Sequence, residues 1–278
     1  MATIKLKLKP SKFVAEKSSI IKHLLLNTQT LKILPDAVRA KIHKKGNTGF
    51  ESSRSSPKQA SVLVPIVHVI SDEDSSSNSS TTRQNATIPS ILFTTRSSKL
   101  KDHANQISFP GGHIDTEIDG EGPESIIRAA LRETREELSS PPASLQDGEI
   151  HQYVYDFDRG IEVLGKTEPI PSIKNIPVTP VIACFKEEFT PLQIQSLFPG
   201  NESEVARVFT VSIEDLVRME GEEPLKRLGD GFMGPIYASK HGKIWGMTAV
   251  ILKPILDHIL KPIFLGSDRE TAVVGSRL

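Results

Sequence analysis

The chain has one cysteine and one tryptophan in 278 residues, and aromatic residues make up only 5% of it. A single cysteine, Cys184, permits no internal disulfide and no zinc site built from several thiolates. It is expected as a small buried hydrophobe. An excess of one charge sign is also lacking, because 34 Lys and Arg balance 34 Asp and Glu. That balance excludes a protein whose main task is to coat nucleic acid or anionic lipid. No apolar run approaches the roughly 20 residues that span a bilayer. The longest, Val62 to Ile70 and Ile20 to Leu26, are short and broken by Pro65, His68, Lys22 and His23. The N-terminus has no uninterrupted apolar segment of the secretory kind. A soluble, intracellular protein with no membrane span and no nucleic-acid partner is expected.

One domain with extra arms fits the length, since a domain uses about 100–200 residues. Hydrophobic residues are 37% of the chain, enough for a core but with some of the chain left outside it. Residues 1–59 are expected to be a basic arm with a linker at 46–59. Within residues 1–50, ten Lys and Arg39 stand against Glu16 and Asp36. Ser18 to Ile33 carries an uneven amphipathic helix pattern. Residues 60–262 are expected to form the folded domain, with a disordered loop insertion at 71–87 and a C-terminal tail at 263–278. Ser276-Arg277-Leu278 resembles the peroxisomal address Ser-Lys-Leu, which an import receptor reads. A peroxisomal location is therefore expected, with the mitochondrion as the alternative that the basic arm suggests.

Strands are expected at Val62 to Ile70, Ile91 to Thr95, Gln152 to Phe157, Glu162 to Gly165, Val178 to Phe185 and Ala206 to Val211. The first two, joined by a polar insertion, suggest a hairpin whose loop has grown. Pro123 opens a strong helix, Glu124 to Leu138, with apolar residues at helical spacing. Ser212 is expected to cap a short helix to Met219. Ile244 to Leu260 is expected to be a closing helix, interrupted at Pro254. Strands mixed with a few helices indicate an α/β (α+β) sandwich.

The segment Arg132-Glu133-Thr134-Arg135-Glu136-Glu137-Leu138 carries the chemistry. Glu133, Glu136 and Glu137 stand at i, i+3 and i+4, so three carboxylates are expected on one helix face. Ile127, Ala130, Leu131 and Leu138 would anchor the opposite face. Carboxylates that close repel unless a cation neutralises them, and Mg²⁺ favours such oxygen ligands. The same pattern also suits a solvated face with Arg132 and Arg135 as ion-pair partners. Upstream stands Phe109-Pro110-Gly111-Gly112, a glycine pair where backbone can approach a phosphate.

Together Gly112, Glu124, Arg132, Glu133, Glu136 and Glu137 resemble the Nudix box: Gly, five residues, Glu, seven residues, Arg-Glu, two residues, Glu-Glu. The second half matches in spacing. In the first half eleven residues separate Gly112 from Glu124, read here as a loop inserted before the helix. Ser139 stands where the box ends in Gly, and Ser140 where an apolar residue follows. Leu92-Phe93-Thr94-Thr95-Arg96-Ser97, Lys101 and Phe109-Pro110-Gly111-Gly112 resemble the signature of the coenzyme A diphosphatase branch, with Asn105 in place of a Gly and Lys101 in place of an Arg. Pro177 to Val181, Asn201 to Val205 and Ile244 to Ala249 are also similar to that branch.

The resemblance implies a Nudix α/β/α sandwich with a mixed sheet. It implies a diphosphatase that cuts coenzyme A and its derivatives to 3′,5′-ADP and 4′-phosphopantetheine. Glu133, Glu136 and Glu137 would bind Mg²⁺ or Mn²⁺, with Arg132 orienting them and Glu124 supporting the helix. Arg96, Lys101, Gly111 and Gly112 would meet the substrate. The general base stays open between the box glutamates, Glu204 and Glu188. Phe109 and Trp245 are expected in the core. Cleavage of NADH or ADP-ribose is the neighbouring reading. A non-catalytic nucleotide-binding module is the remote one, and loss of the carboxylates would mark it.

Overall fold

Val, Ile and Leu crowd the strand Ala60–Ile70 (β2), and almost all of it is buried. Such a strand needs cover on both faces. Leu63, Val67 and Val69 feed one hydrophobic cluster, and Val64 and Ile66 the other. In the computed structural model, residues 8–26, 58–71, 86–139, 155–225 and 231–266 are described. The expected linker at 46–59 falls outside them except for its last two residues. The greater part of the 71–87 loop and Ser276-Arg277-Leu278 also lie outside the described residues.

β2 runs parallel to Pro177–Phe189 (β8) and antiparallel to Thr87–Arg96 (β3). The expected hairpin is therefore present, closed where the Ser71 N–H donates to the Ala86 carbonyl at 2.9 Å. Val205–Ser212 (β9) lines the far edge of β3. Ile107–Ser108 (β4) pairs with the end of β3, and Gly111–His113 (β5) with the start of β2. Lys9–Pro10 (β1), Ile161–Lys166 (β6) and Ile170–Pro171 (β7) pair antiparallel with the outer edge of β8. These nine strands form one mixed sheet.

Pro65 sits inside a central strand, a place proline normally avoids because it lacks a donor. Here β5 pairs with β2 at residues 60–62 and β3 at residues 66–70. The Leu63 N–H reaches the Pro110 carbonyl. Two residues on, Pro65 points to the same side, where β5 has ended and β3 has not begun.

Helices cover both faces. Lys12–Leu26 (α1) places Ile21 and Leu25 in the cluster that also holds Phe93, Phe209 and Leu252. That cluster is completed by Gly246–Ile255 (α7), which passes Pro254 and continues through a π-helical turn, Leu256–Leu260, into Lys261–Phe264 (α8). The interruption expected at Pro254 thus comes two residues later, and Ile244 belongs to a strand. Ser125–Leu138 (α3) covers the other face with Ala130 and Leu138. The fold is an α/β/α sandwich with a mixed sheet.

Ser212 caps Ile213–Arg218 (α6) by accepting from the Asp215 N–H, as expected. Cys184 is buried in β8, and burial pushes its thiol up to about 12. The strand expected over Gln152 to Phe157 is corrected for its last three residues, and its first three lie outside the described residues. Tyr155 and Asp156 are not in a strand, and Phe157 opens a short helix, Phe157–Gly160 (α4), capped by Asp156. Tyr155 and Phe157 alternate like strand residues. A turn brings both into one aromatic cluster with Phe185, Phe189 and Phe198. The Tyr155 hydroxyl closes that turn on the Gly160 carbonyl at 2.8 Å. Not expected were Thr116–Asp119 (α2), Pro191–Leu197 (α5), which has a Thr190–Gln193 capping box, and a second sheet. That sheet joins Glu220–Pro224 (β10), Met233–Ser239 (β11) and Gly242–Ile244 (β12).

His68 on β2 is 1% exposed, with its ring 6.4 Å from that of Phe264. Burial lowers its pKa from 6.5 to about 4. Between those values the unfolded chain binds the extra proton. Stability is therefore full above the unfolded pKa and is lost as pH falls through the folded one. The shift corresponds to about 3 kcal/mol. Urea midpoints measured across that pH range should fall for the wild type and fall much less for His68→Leu; equal slopes would remove His68 from the explanation.

Candidate active site

Small residues bring α3 close to the sheet. Ala129, Ala130 and Thr134 are fully buried, and the Thr134 hydroxyl donates back to the Ala130 carbonyl at 2.7 Å. Glu137 lies seven residues after Ala130, two turns on, and so shares this buried stripe. It is 2% exposed. The expectation that all three glutamates lie opposite Ala130 is therefore corrected. Ile127 and Leu131 are half-buried flanks. The Glu136 side chain is half exposed, and that of Glu133 is mostly covered.

The glycine pair of β5 meets these carboxylates. The Gly111 N–H donates to Glu137. A Cβ on Gly112 would stand 2.5 Å from the carboxyl carbon of Glu133. A Cβ on Gly111, where φ is +151°, would stand 2.4 Å from the Ser61 carbonyl oxygen. Neither position accommodates a side chain as the residues stand.

Arg132 ties the cluster together. Its Nη1 donates to Glu133 at 2.9 Å and to Glu136 at 3.1 Å, and its Nη2 donates to the His113 carbonyl. Its Nε and Nη2 each reach one oxygen of Asp119 at 2.9 Å. Asp119 is 2% exposed and also accepts from the Asp115 N–H. Burial pushes the Asp119 carboxyl up, but the hydrogen bonds from Arg132 and Asp115 outweigh it and hold the pKa below the usual value. The hydrogen bond to Asp119, more than any other contact, raises the pKa of Arg132. Arg135 faces away and pairs with Asp158.

Two loops complete the site. The Gly200 and Asn201 N–H groups donate to the Leu138 and Glu137 carbonyls, which caps the end of α3. The same loop presents Glu204, whose carbonyl accepts from the Ser97 N–H. Its charge acts on both Glu133 and Glu137. The second loop, 97–105, closes on Arg96 through bonds from the Asn105 N–H and to the Gln106 carbonyl. Asn105 has φ of 60°. A left-handed backbone suits Gly or Asn, so Asn in place of Gly keeps this turn.

Burial pushes Glu137 up to about 8, although Arg96 and the Gly111 N–H pull the other way. Burial also raises Glu133, with Glu136 and Glu204 adding to it. The Oε2 of Glu137 is buried with no hydrogen-bond partner among the described residues. Among the described residues no three acidic, imidazole or thiolate groups close around a common ion position. The Arg132 guanidinium stands between Glu133 and Glu136, while Glu137 is turned to the sheet.

Arg96 joins the cluster. Lys101 and His103 are exposed on the 97–105 loop, outside it. Glu188 is excluded, because it pairs with Lys9 at 3.1 Å where β8 meets β1. Phe109 stacks on Phe93 in the core, as expected. Trp245 does not: it is 43% exposed, because it precedes α7 and only residues from Thr248 onward turn inward.

No family model matches the chain. A protein of Citrobacter koseri named as an uncharacterized Nudix hydrolase, NudL, is 30% identical over 200 residues, covering 71% of this chain and 81% of that protein. A protein of Cronobacter sakazakii with the same name is 30% identical over 209 residues, covering 74% and 85%. The chain belongs to the Nudix hydrolases. A solved Nudix hydrolase of M. smegmatis, RenU, is 15% identical with a TM-score of 0.34, covering 58% of this chain and 73% of that one.

Within the Nudix box of this chain, the acid that holds Arg132 is Asp119 and not Glu124. Glu124 precedes α3 and makes no side-chain capping bond. Six residues separate Gly112 from Asp119, close to the five of the pattern. The insertion therefore follows the acid instead of preceding it. Breaking a buried ion pair from one side costs about 3 kcal/mol or more. Asp119→Ala should lower the unfolding free energy by about that much in urea titrations, and Glu124→Ala by under about 0.5 kcal/mol. The reverse ranking would restore Glu124 as the partner of Arg132.

Proposed function

We propose that this Nudix hydrolase cleaves the diphosphate bond of coenzyme A and its derivatives, releasing 3′,5′-ADP and 4′-phosphopantetheine or its acylated form. The observation that supports this most is where the branch-like stretch 92–112 lies. The charge of Arg96 from that stretch acts on Glu137, and Gly111 and Gly112 pack on Glu137 and Glu133. Arg96, Gly111 and Gly112 of the branch-like stretch thus bear on the carboxylates, while Lys101 stands outside the cluster. The likeness extends, through this stretch and Ser276-Arg277-Leu278, to the fungal peroxisomal coenzyme A diphosphatase, and a peroxisomal location is part of the proposal.

The donor set fits a hard divalent cation, Mg²⁺ or Mn²⁺. Glu137 carries a buried oxygen with no partner among the described residues, and burial disfavours the charged form of both Glu137 and Glu133. Glu133, Glu136 and Glu137 would hold the ion. Bound there, such an ion neutralises the diphosphate and lowers the pKa of a water.

The chain's own residues supply the rest. Asp119 fixes Arg132, and Arg132 orients Glu133 and Glu136. Arg96 offers a guanidinium to a phosphate oxygen, a charge-assisted contact. Water attacks one phosphorus, and the bond from that phosphorus to the bridging oxygen breaks. Glu204 is the carboxylate beside the cluster, outside the box, and it takes the proton of the attacking water. Lys101, on the exposed loop, meets the outer part of the substrate.

Product analysis by mass spectrometry tests this. Purified protein with Mg²⁺ or Mn²⁺ is incubated in parallel with CoA, acetyl-CoA, oxidised CoA, NADH and ADP-ribose. CoA compounds should yield 3′,5′-ADP and a phosphopantetheine, and Glu136→Gln should lower the rate at least about a hundredfold. Cleavage of NADH or ADP-ribose with CoA left intact would replace the substrate. No cleavage of any compound would leave a binding module.

A further inference from the structure

Asp119 holds Arg132, yet little in its own helix holds Asp119. α2 is a single turn, and a helix that short keeps no shape of its own in water. Asp115 caps its start by accepting from the Glu117 N–H. At its end Gly120, with φ of 71°, turns the chain away immediately after Asp119. The five residues 120–124 that follow are the insertion between the acid and α3. A loose bend there would let Asp119 shift, and Arg132 with it.

Arg128 closes that bend. It stands four residues before Arg132 on α3, so the two side chains leave one helix face a turn apart. Its Nε donates to the Asp119 carbonyl, and its Nη2 makes a long bond of 3.5 Å to the Glu121 carbonyl. A Cβ on Gly120 would stand 3.1 Å from the same Nη2, so the bend wraps directly around the guanidinium. The Ser125 hydroxyl takes the Gly122 carbonyl at 2.7 Å, and Lys166 of β6 takes the Pro123 carbonyl at 3.1 Å. Asp119 is thus held from both sides. Arg132 binds its carboxylate and Arg128 its carbonyl. The charge of Arg128 also favours the ionised form of Asp119.

We propose that Arg128 is a positioning residue of the active site, holding Asp119 so that Arg132 keeps Glu133 and Glu136 in place. It acts through the backbone of Asp119. A planar guanidinium suits the task, because its fork fixes two acceptors in one geometry. The Arg132 side chain is mostly covered and donates to both glutamates, so a shift of its anchor reaches them directly. Misplacement on the order of 1 Å from a change outside the chemistry can cost about a hundredfold in rate. The effect on turnover rests on the cation site of Glu133, Glu136 and Glu137, and not on which nucleotide is cut.

Arg132 itself reports on the proposal. Solvent exchange of its Nε–H is followed by NMR in the metal-free, full-length protein. Exchange should be about tenfold faster in Arg128→Gln than in the wild type. It should be unchanged in Arg135→Gln, whose arginine lies on the same helix but pairs with Asp158. Affinity for Mn²⁺ is read from the electron paramagnetic resonance of the free ion. It should fall about tenfold in Arg128→Gln, and kcat should fall with it while KM stays within about twofold. Asp119→Asn keeps the shape of the acid but loses its charge. With that substitution already present, adding Arg128→Gln should change Mn²⁺ affinity by less than about twofold, because residues that act as one unit are not additive.

Unchanged exchange of the Arg132 Nε–H in Arg128→Gln would overturn the proposal. So would an equal loss of Mn²⁺ affinity with and without Asp119→Asn, since Arg128 would then act without Asp119. The coenzyme A reading fails separately. If Arg132 loosens in Arg128→Gln but CoA is not cleaved by the wild type, the positioning role stands and the substrate is another nucleotide.

Discussion

The site depends on one constraint, a carboxylate carried on the core-facing stripe of α3. Glu137 shares that stripe with Ala130, Thr134 and Leu138, where an ordinary helix would place another apolar residue. Burying a carboxylate without full compensation is costly. The chain compensates in part, with the Gly111 N–H and the charge of Arg96. Both come from the sheet, and both need β5 and β3 to approach the helix closely. Glycines at 111 and 112 and alanines at 129 and 130 make that approach sterically possible. What remains uncompensated is the reason a divalent cation would be held there.

Around that constraint the other charged groups form a graded series. Glu133 is partly covered, Glu136 half exposed, and Arg132 spans both. Asp119 anchors Arg132 from behind, so the guanidinium cannot swing into solvent as a surface arginine would. Orientation of this kind is a matter of preorganised charge, worth most where water is excluded. The capping of α3 by the 200–205 loop serves the same end, since one short segment both satisfies the last helical carbonyls and sets Glu204 beside the cluster.

Much of this was legible in the sequence, and the failures have physical causes. The β2–β3 hairpin, α3, the Ser212 cap and the Arg132 to Glu137 segment were readable because each is local and strongly patterned. Glu137 was placed on the wrong face because charge was weighed above period, although seven residues from Ala130 is two full turns. Asp119 was missed because the box was aligned on Glu124, whose spacing to Arg132 matches the pattern. Only the fold shows which acid reaches the guanidinium. Tyr155 and Phe157 alternated like a strand while serving a turn. The small sheet of β10 to β12 has weak hydrophobic patterning and takes its shape from the packing of Tyr237 and Ile244 on the helices below. Trp245 was read as core by residue type, and only its position just ahead of α7 puts it outside.

The most direct measurement is thermal unfolding of the wild type and Glu137→Gln, each with and without Mn²⁺. A neutral amide at position 137 removes the cost of taking an ionisable carboxyl into the core but keeps the shape. The metal-free variant should therefore unfold at the same temperature as the wild type or a higher one, and Mn²⁺ should stabilise the wild type alone. A variant that is less stable without metal, yet still gains stability from Mn²⁺, would contradict the view that Glu137 trades fold stability for cation binding.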